Sequence, residues 1–134
     1  MKTIAGIAIG LSLAFGIVSA STLVNVIIWP WPDGVDAGAR DLAARSTIAE
    51  HINTLPLLSK LMTSASYGIA AFFAGFIAAW MAESLWIPGA IIATILTTLA
   101  VLTAIPLPAI FWLNVGIFIP ASMIGAYFGV RMVQ

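Results

Sequence analysis

Cysteine is absent from the 134 residues, and only ten side chains carry charge, five basic and five acidic. Without thiols the chain forms no disulfide, holds no iron–sulfur cluster and offers no thiolate ligand to zinc. A single histidine, His51, rules out a haem clamped between two imidazoles of one chain. Zero formal net charge leaves no basic face for the backbone of a nucleic acid. The scarcity of charge excludes most. With 7% charged and 62% hydrophobic residues the chain falls far from a soluble domain, in which about a quarter of the residues are charged.

The charges stand at positions 2, 33, 36, 40, 41, 45, 50, 60, 83 and 131, which leaves uncharged runs at 3–32, 61–82 and 84–130. A helix rises ~1.5 Å per residue, so ~20 residues cross the ~30 Å hydrocarbon layer of a bilayer. The first two runs hold one crossing each, and the third is long enough for two. The expected fold is therefore all-α: an integral membrane four-helix bundle in a single domain, with helices at about 4–29, 61–82, 87–104 and 109–130. An extramembrane loop at 30–60, with a short amphipathic helix inside it, joins the first two crossings.

Prolines supply the breaks. Trp29-Pro30-Trp31-Pro32 ends the first crossing, because proline lacks the amide and disfavours helix in the residue before it. Ile105-Pro106-Leu107-Pro108 divides the longest run, and residues 83–89 make a short turn. Trp29, Trp31 and Trp86 are expected as interface anchors, since tryptophan prefers the headgroup zone. Lys2 and the apolar run after it also have the form of a secretory signal, with Val18-Ser19-Ala20 as a small-residue cleavage site. The run is longer than the ~7–15 apolar residues of a signal and resumes at Leu23, so a retained helix is expected.

The loop carries seven of the ten charges. Asp36 can cap a helix with an apolar stripe of Ala39, Leu42, Ala43, Ala49 and Ile52, and Thr47 with Glu50 fits a capping box. Arg40, Arg45 and Glu50 would then face water. Four crossings put both termini on one side. Lys2, at the start of the first segment, sets the expectation of cytoplasmic termini and a periplasmic loop at 33–60.

In lipid an apolar side chain gains little by choosing a helix over an acyl chain, so association depends on close backbone approach and on interhelical hydrogen bonds. Three stripes at four-residue spacing suit close approach: Gly6, Gly10 and Ala14; Ala71, Gly75 and Ala79; Ala121, Gly125 and Gly129. Two amides, Asn25 and Asn114, fall at one depth near the loop side. They are expected to meet, or to share a polar cluster with Ser21 and Thr22, because an unpaired amide in hydrocarbon costs several kcal/mol. The hydroxyls of Ser64, Ser66, Tyr67, Thr94, Thr97 and Thr98 are expected mainly to bond their own helices. Pro120 is expected to kink the last helix.

No Asp, Glu, Lys, Arg or His lies in the central two-thirds of any crossing, which disfavours proton-coupled transport and voltage sensing. The chain therefore lacks the embedded acid of small multidrug exporters, and it has no glycine-rich arginine motif of the kind carried by small fluoride channels. His51 beside Glu50 is a weak metal or proton-shuttle candidate. No nucleophile has a visible base, and no glycine-rich phosphate loop occurs. The expectation is a protein without catalytic activity, metal or cofactor.

Helix one ends in an aromatic and proline segment, Trp29 to Gly34, before a short acidic loop. Leu55-Pro56 then precedes a Gly/Ala-rich second helix, Tyr67 to Ala82, and a proline lies in the last, Phe111 to Gly129. In these features the chain resembles a widespread family of small four-helix bacterial inner-membrane proteins of uncharacterised function. The resemblance implies a multi-pass protein of the bacterial inner membrane and supplies no activity. It departs at Glu83-Ser84, where relatives tend to carry an arginine-rich turn. The expected function is a non-catalytic accessory or scaffold subunit of a larger inner-membrane assembly. Its partners would be membrane lipids, other subunits or copies of itself, and no nucleic acid. The alternative is a small channel or carrier for a neutral or apolar solute.

Overall fold

Prolines and small residues decide where the helices start and which faces they bury. The computed structural model describes residues 1–34, 42–84, 86–104 and 109–134. Among them the chain is all-helical, with five helices: α1 (Lys2–Ile28), α2 (Leu42–Thr54), α3 (Leu57–Ala82), α4 (Trp86–Ala104) and α5 (Ala109–Arg131). Three, Lys2–Ile28, Leu57–Ala82 and Trp112–Arg131, are long and apolar enough to cross a membrane, and Trp86–Leu102 is a shorter apolar helix.

α3 begins a turn earlier than its charge pattern suggests. Pro56 is its N-cap, with φ −63° and ψ 153°, so residues 57–60 belong to the helix and not to the loop. Proline cannot continue a helix backward, yet nothing stops the helix running forward from Leu57 through Lys60. The lysine accommodates by turning its Nζ out to the carbonyl of Asn53, 3.1 Å away. At the other end Glu83 caps α3 in the left-handed region, at φ 55°. Its carboxylate meets Lys2 Nζ at 2.9 Å. The two side chains are 76% and 57% exposed, so this pair adds only about 0–1 kcal/mol, but it shows that α1 starts where α3 ends.

The loop helix starts upstream of Thr47, whose hydroxyl donates to the carbonyl of Ala43 from inside α2 instead of capping an end. Ile52 is buried with Ile48 and Ala49 beside it, whereas Ala43, expected on the apolar stripe, is exposed. Glu50 is exposed and Arg45 half-buried. Asp36, Ala39, Arg40 and the break at 105–108 lie outside the described residues, as does the side chain of Leu42.

α3 is the central element. It packs against α1 on one side and α5 on the other, while α4 packs on α5, α3 and α1; among the described residues no Cα of α1 comes within 8 Å of one in α5. The α1 contact is antiparallel: a Cβ added at Gly10 would lie 2.6 Å from the Ala74 carbonyl oxygen, and one at Gly6 3.0 Å from that of Ala78. The α5 contact is parallel, Gly125 lying on the Phe72 carbonyl, Gly129 on that of Phe76 and Gly75 on that of Ser122. At Gly75 and Gly125 a methyl group would overlap the facing carbonyl outright, so only glycine permits this separation. Ala14, Ala71 and Ala79 are buried in the same seams, whereas Ala121 is half-buried. A second buried stripe on α3, Ala70, Ala74 and Ala78, was not singled out from sequence. α5 continues through Pro120.

The tryptophans gather at two ends. Trp29, Trp31 and Trp112 lie at the loop end, and Trp80 and Trp86 at the end bearing the termini, where the Arg131 guanidinium sits 4.7 Å above the Tyr127 ring. α3 rises ~30 Å between Lys60 and Trp80.

The glycine contacts predict opposite outcomes for one chemical change. Gly125→Ala should lose about 1–3 kcal/mol through overlap with the Phe72 carbonyl. Gly16→Ala, with nothing within 4 Å, should gain up to about 1 kcal/mol of helix propensity. Thermal unfolding in mild detergent followed by circular dichroism measures both, and equal stabilities would refute the backbone contact.

Candidate functional site

At the loop end larger and more polar side chains replace the glycines and alanines, and a cavity of about 180 Å³ opens among α1, α2, α3 and α5. That is slightly larger than a cavity of ~150 Å³ known to accept one benzene ring. α1 contributes Val18, Ser21, Thr22, Asn25, Val26 and Trp29; α3 contributes Ser59, Lys60, Thr63, Ser66 and Tyr67; Asn114 comes from α5. α2 roofs it with His51 and Ile52, joined by Trp31 and Leu55. The cavity follows from the topology, because α1 and α5 both line it while their backbones stay apart.

One wall is a closed hydrogen-bond network between α1 and α3. Ser59 Oγ donates to Asn25 Oδ1 at 2.5 Å, and Asn25 Nδ2 donates to Thr63 Oγ1 at 3.0 Å and to the Ser59 carbonyl at 3.4 Å. Thr63 Oγ1 in turn donates to the Ser59 carbonyl at 3.0 Å. Both ends of the Asn25 amide are thus engaged. Ser66 donates to the carbonyl of Thr63 at 2.7 Å. Tyr67 packs edge-on against Phe118, with ring centroids 5.5 Å apart.

Asn114 is different. It is 4% exposed, and its Oδ1 has no hydrogen-bond partner among the described residues. The expected Asn25–Asn114 pair is therefore corrected: both line one cavity, but the bonds of Asn25 go to Ser59 and Thr63. α3 provides the nearer partners, since the α1 backbone packs on it directly and stays apart from that of α5. Of the other two residues expected in the cluster, Ser21 and Thr22 both line the cavity, Thr22 donating to the carbonyl of its own Val18.

Ser59 and Thr63 escaped the sequence reading because the first was assigned to the loop. Their four-residue spacing identifies them as neighbours of Asn25 once the helix is started at Pro56. Among the remaining hydroxyls Ser64 and Thr94 bond the carbonyls of Lys60 and Ala90 in their own helices, and Thr97 Oγ1 is buried without a partner among the described residues. Trp29 and Trp31 stand at the mouth of the cavity, and Trp31 packs on the His51 ring at 4.9 Å with a 41° tilt. Trp86 is exposed at the opposite end. No group of three His, Asp or Glu side chains converges among the described residues. A shallow cleft at the terminal end is formed by Lys2, Trp80, Met81, Glu83 and Val133.

The arrangement can hold a small molecule by shape and hydrogen bonding; it presents no nucleophile and base in contact. No protein-family model, curated protein or solved structure matches the chain.

The α1–α3 network predicts non-additive mutations. Ser59→Ala leaves Asn25 Oδ1 without its donor and should cost about 1–2 kcal/mol in detergent unfolding. Adding Asn25→Leu should cost less than the sum of the two single changes, because the unpaired group is then gone. Strict additivity would show that the network contributes nothing as a unit.

Proposed function

We propose that the protein is a four-helix bundle integral to the bacterial inner membrane, serving as a non-catalytic accessory or scaffold subunit that receives a transmembrane helix of a partner along α1. The observation that carries this is a second small-residue face on α1. Gly6, Gly10 and Ala14 are buried against α3, yet Ala8, Ser12, Gly16 and Ala20, also four residues apart, lie exposed on the opposite side. Gly16 has nothing within 4 Å. A smooth face of this kind lets another backbone approach as closely as α3 does, and in lipid such approach is the main source of helix association.

Membrane integration is supported by the apolar helices and by the two tryptophan belts, which α3 spaces ~30 Å apart, the thickness of a hydrocarbon layer. The inner membrane follows from the resemblance to small four-helix bacterial proteins, and the orientation, termini in the cytoplasm and residues 33–60 in the periplasm, from Lys2. The cavity favours a second reading, a small channel or carrier for a neutral or apolar solute. Contacts at Gly10 and Gly75 close the path toward the terminal end, so carriage would require α1, α3 and α5 to separate.

The absence of cysteine makes the first reading testable without background. Ser12→Cys and Gly16→Cys should cross-link in native membranes to a partner subunit or a second copy, while Leu13→Cys on the flank should do so several-fold less. A chain that purifies in mild detergent as a lone monomer and cross-links to nothing at these positions would end the proposal. For orientation, Asp33→Cys and Gln134→Cys should react with an impermeant thiol reagent from opposite sides of the membrane, Asp33→Cys from the periplasm. Labelling of both from one side would overturn the four-crossing topology. For the second reading, flux of a neutral solute into liposomes should fall several-fold in Asn114→Leu, and unchanged flux would dismiss it.

A further inference from the structure

The hairpin of α4 and α5 carries on its outer surface one acceptor and one donor that the bundle leaves unused. Pro120 has no N–H to give to the Gly116 carbonyl one turn back, and among the described residues no side chain donates to it. Gly116 is exposed and has no side chain to cover that oxygen, and nothing lies within 4 Å of the place its Cβ would take. On α4 the Thr94 hydroxyl donates to the Ala90 carbonyl. Thr98, exposed one turn further on, donates to nothing among the described residues. In hydrocarbon both groups are costly to leave unpaired.

The two groups lie at one level. A Cβ added at Gly89 would be 3.1 Å from Ala126 Cβ and from Met123 Sδ, so α4 and α5 run antiparallel with Gly89 opposite residues 123–126. Thr98 comes nine residues after Gly89 and Gly116 nine before Gly125, which carries each ~14 Å toward the loop end. A separate set of contacts gives the same register. Ile92 meets Gly10, Gly10 lies on the Ala74 carbonyl, and the adjacent Gly75 lies on that of Ser122. Six residues on from Ile92 is Thr98, and six before Ser122 is Gly116. Ile92 and Ser122 are buried in the bundle, and a step of six residues turns about a third of the way round a helix, so both groups point off the bundle.

Rotation about an axis along the bilayer normal preserves depth. In a pair of copies related by such an axis, each Thr98 therefore comes level with the Gly116 of the other. A second copy supplies the donor that Gly116 lacks at the depth where it is needed, and has its own carbonyl satisfied in return. Ala90 and Thr94, exposed on α4 below Thr98, are small enough for the other α4 to come close. We infer that two copies of this chain pair through α4 and α5 about a twofold axis along the bilayer normal, the Thr98 hydroxyl of each donating to the Gly116 carbonyl of the other. The inference rests on the proposed membrane placement and not on a partner at α1, so either association can fail without the other.

Thiol cross-linking maps the interface without background, because the chain has no cysteine. Two differently tagged copies, one Thr98→Cys and the other Gly116→Cys, should form a mixed disulfide in native membranes several-fold more than either forms with itself. Ile69→Cys is the control: it is exposed on α3 at the same depth, next to the Gly68 that meets Ile117, and should join Thr98→Cys several-fold less. In lipid vesicles, energy transfer between labelled copies measures the pairing. It should weaken about tenfold in Thr98→Val, and about tenfold in Pro120→Ala, which restores an N–H to the Gly116 carbonyl. Together the two changes should weaken it no further than one, since they remove the same bonds. Gly16→Leu, on the outward face of α1, should leave it unchanged. A chain that stays monomeric in vesicles, mixed cross-linking no stronger than with Ile69→Cys, or additive losses in the double variant would overturn the inference. Pairing lost in Gly16→Leu but kept in Thr98→Val would overturn it too, by moving self-association to α1. If Pro120→Ala does not fold, Thr98→Val and the cross-links decide the matter.

Discussion

The approach of three backbones along α3 is the constraint from which the other features follow. Ala70, Ala74 and Ala78 on one face, and Ala71, Gly75 and Ala79 on the other, leave those two faces of α3 almost without side-chain relief in its terminal half. α1 and α5 settle into those two grooves until Gly10 and Gly125 lie on the carbonyls of Ala74 and Phe72. Dispersion summed over the closely approached seams holds the helices together, the kind of contact on which apolar helices depend wherever burial from water does not drive them together. Because both neighbours use α3, their own backbones are held apart from each other.

The loop-end cavity is the counterpart of that tightness. Where the same helices carry Asn25, Tyr67 and Asn114 in place of Gly and Ala, side chains and not backbones meet, and the space between α1 and α5 is left for other groups to fill. α2 covers it, with Ile52 buried and the His51 ring in tilted contact with Trp31. A closed hydrogen-bond wall on the α1–α3 side and an unmatched amide oxygen on the α5 side make the two faces chemically unlike. A half sealed by backbone contact and a half shaped by polar side chains suit binding from one end better than passage through the middle.

α1 is the most lightly held of the long helices, with three buried residues in twenty-seven. Its two small-residue faces look in opposite directions, one onto α3 and one outward. The outward face and the cavity share no residue, so association along α1 and occupancy of the loop end are separable properties of one scaffold.

Much of the helical layout was legible in the chain. Charge-free runs and prolines predicted the long helices to within a turn, because a polar side chain or a missing amide acts locally and needs no tertiary partner. The start of α3 was misplaced because Lys60 was taken as a boundary, although a long side chain can leave a helix without ending it. Small-residue spacing showed which faces permit close approach but not which helices use them, and so the stripe at Ala70, Ala74 and Ala78 and the outward position of Gly16 went unseen. The amides were recognised, and both line one cavity, but the partners of Asn25 are Ser59 and Thr63. Composition by itself determined helices suited to lipid, a loop helix and the absence of thiol chemistry. Only the tertiary structure decided that α3 would stand between α1 and α5, giving Asn25 its partners and leaving Asn114 without one, because hydrogen-bond pairing depends on which helices are neighbours and no local rule of sequence specifies that.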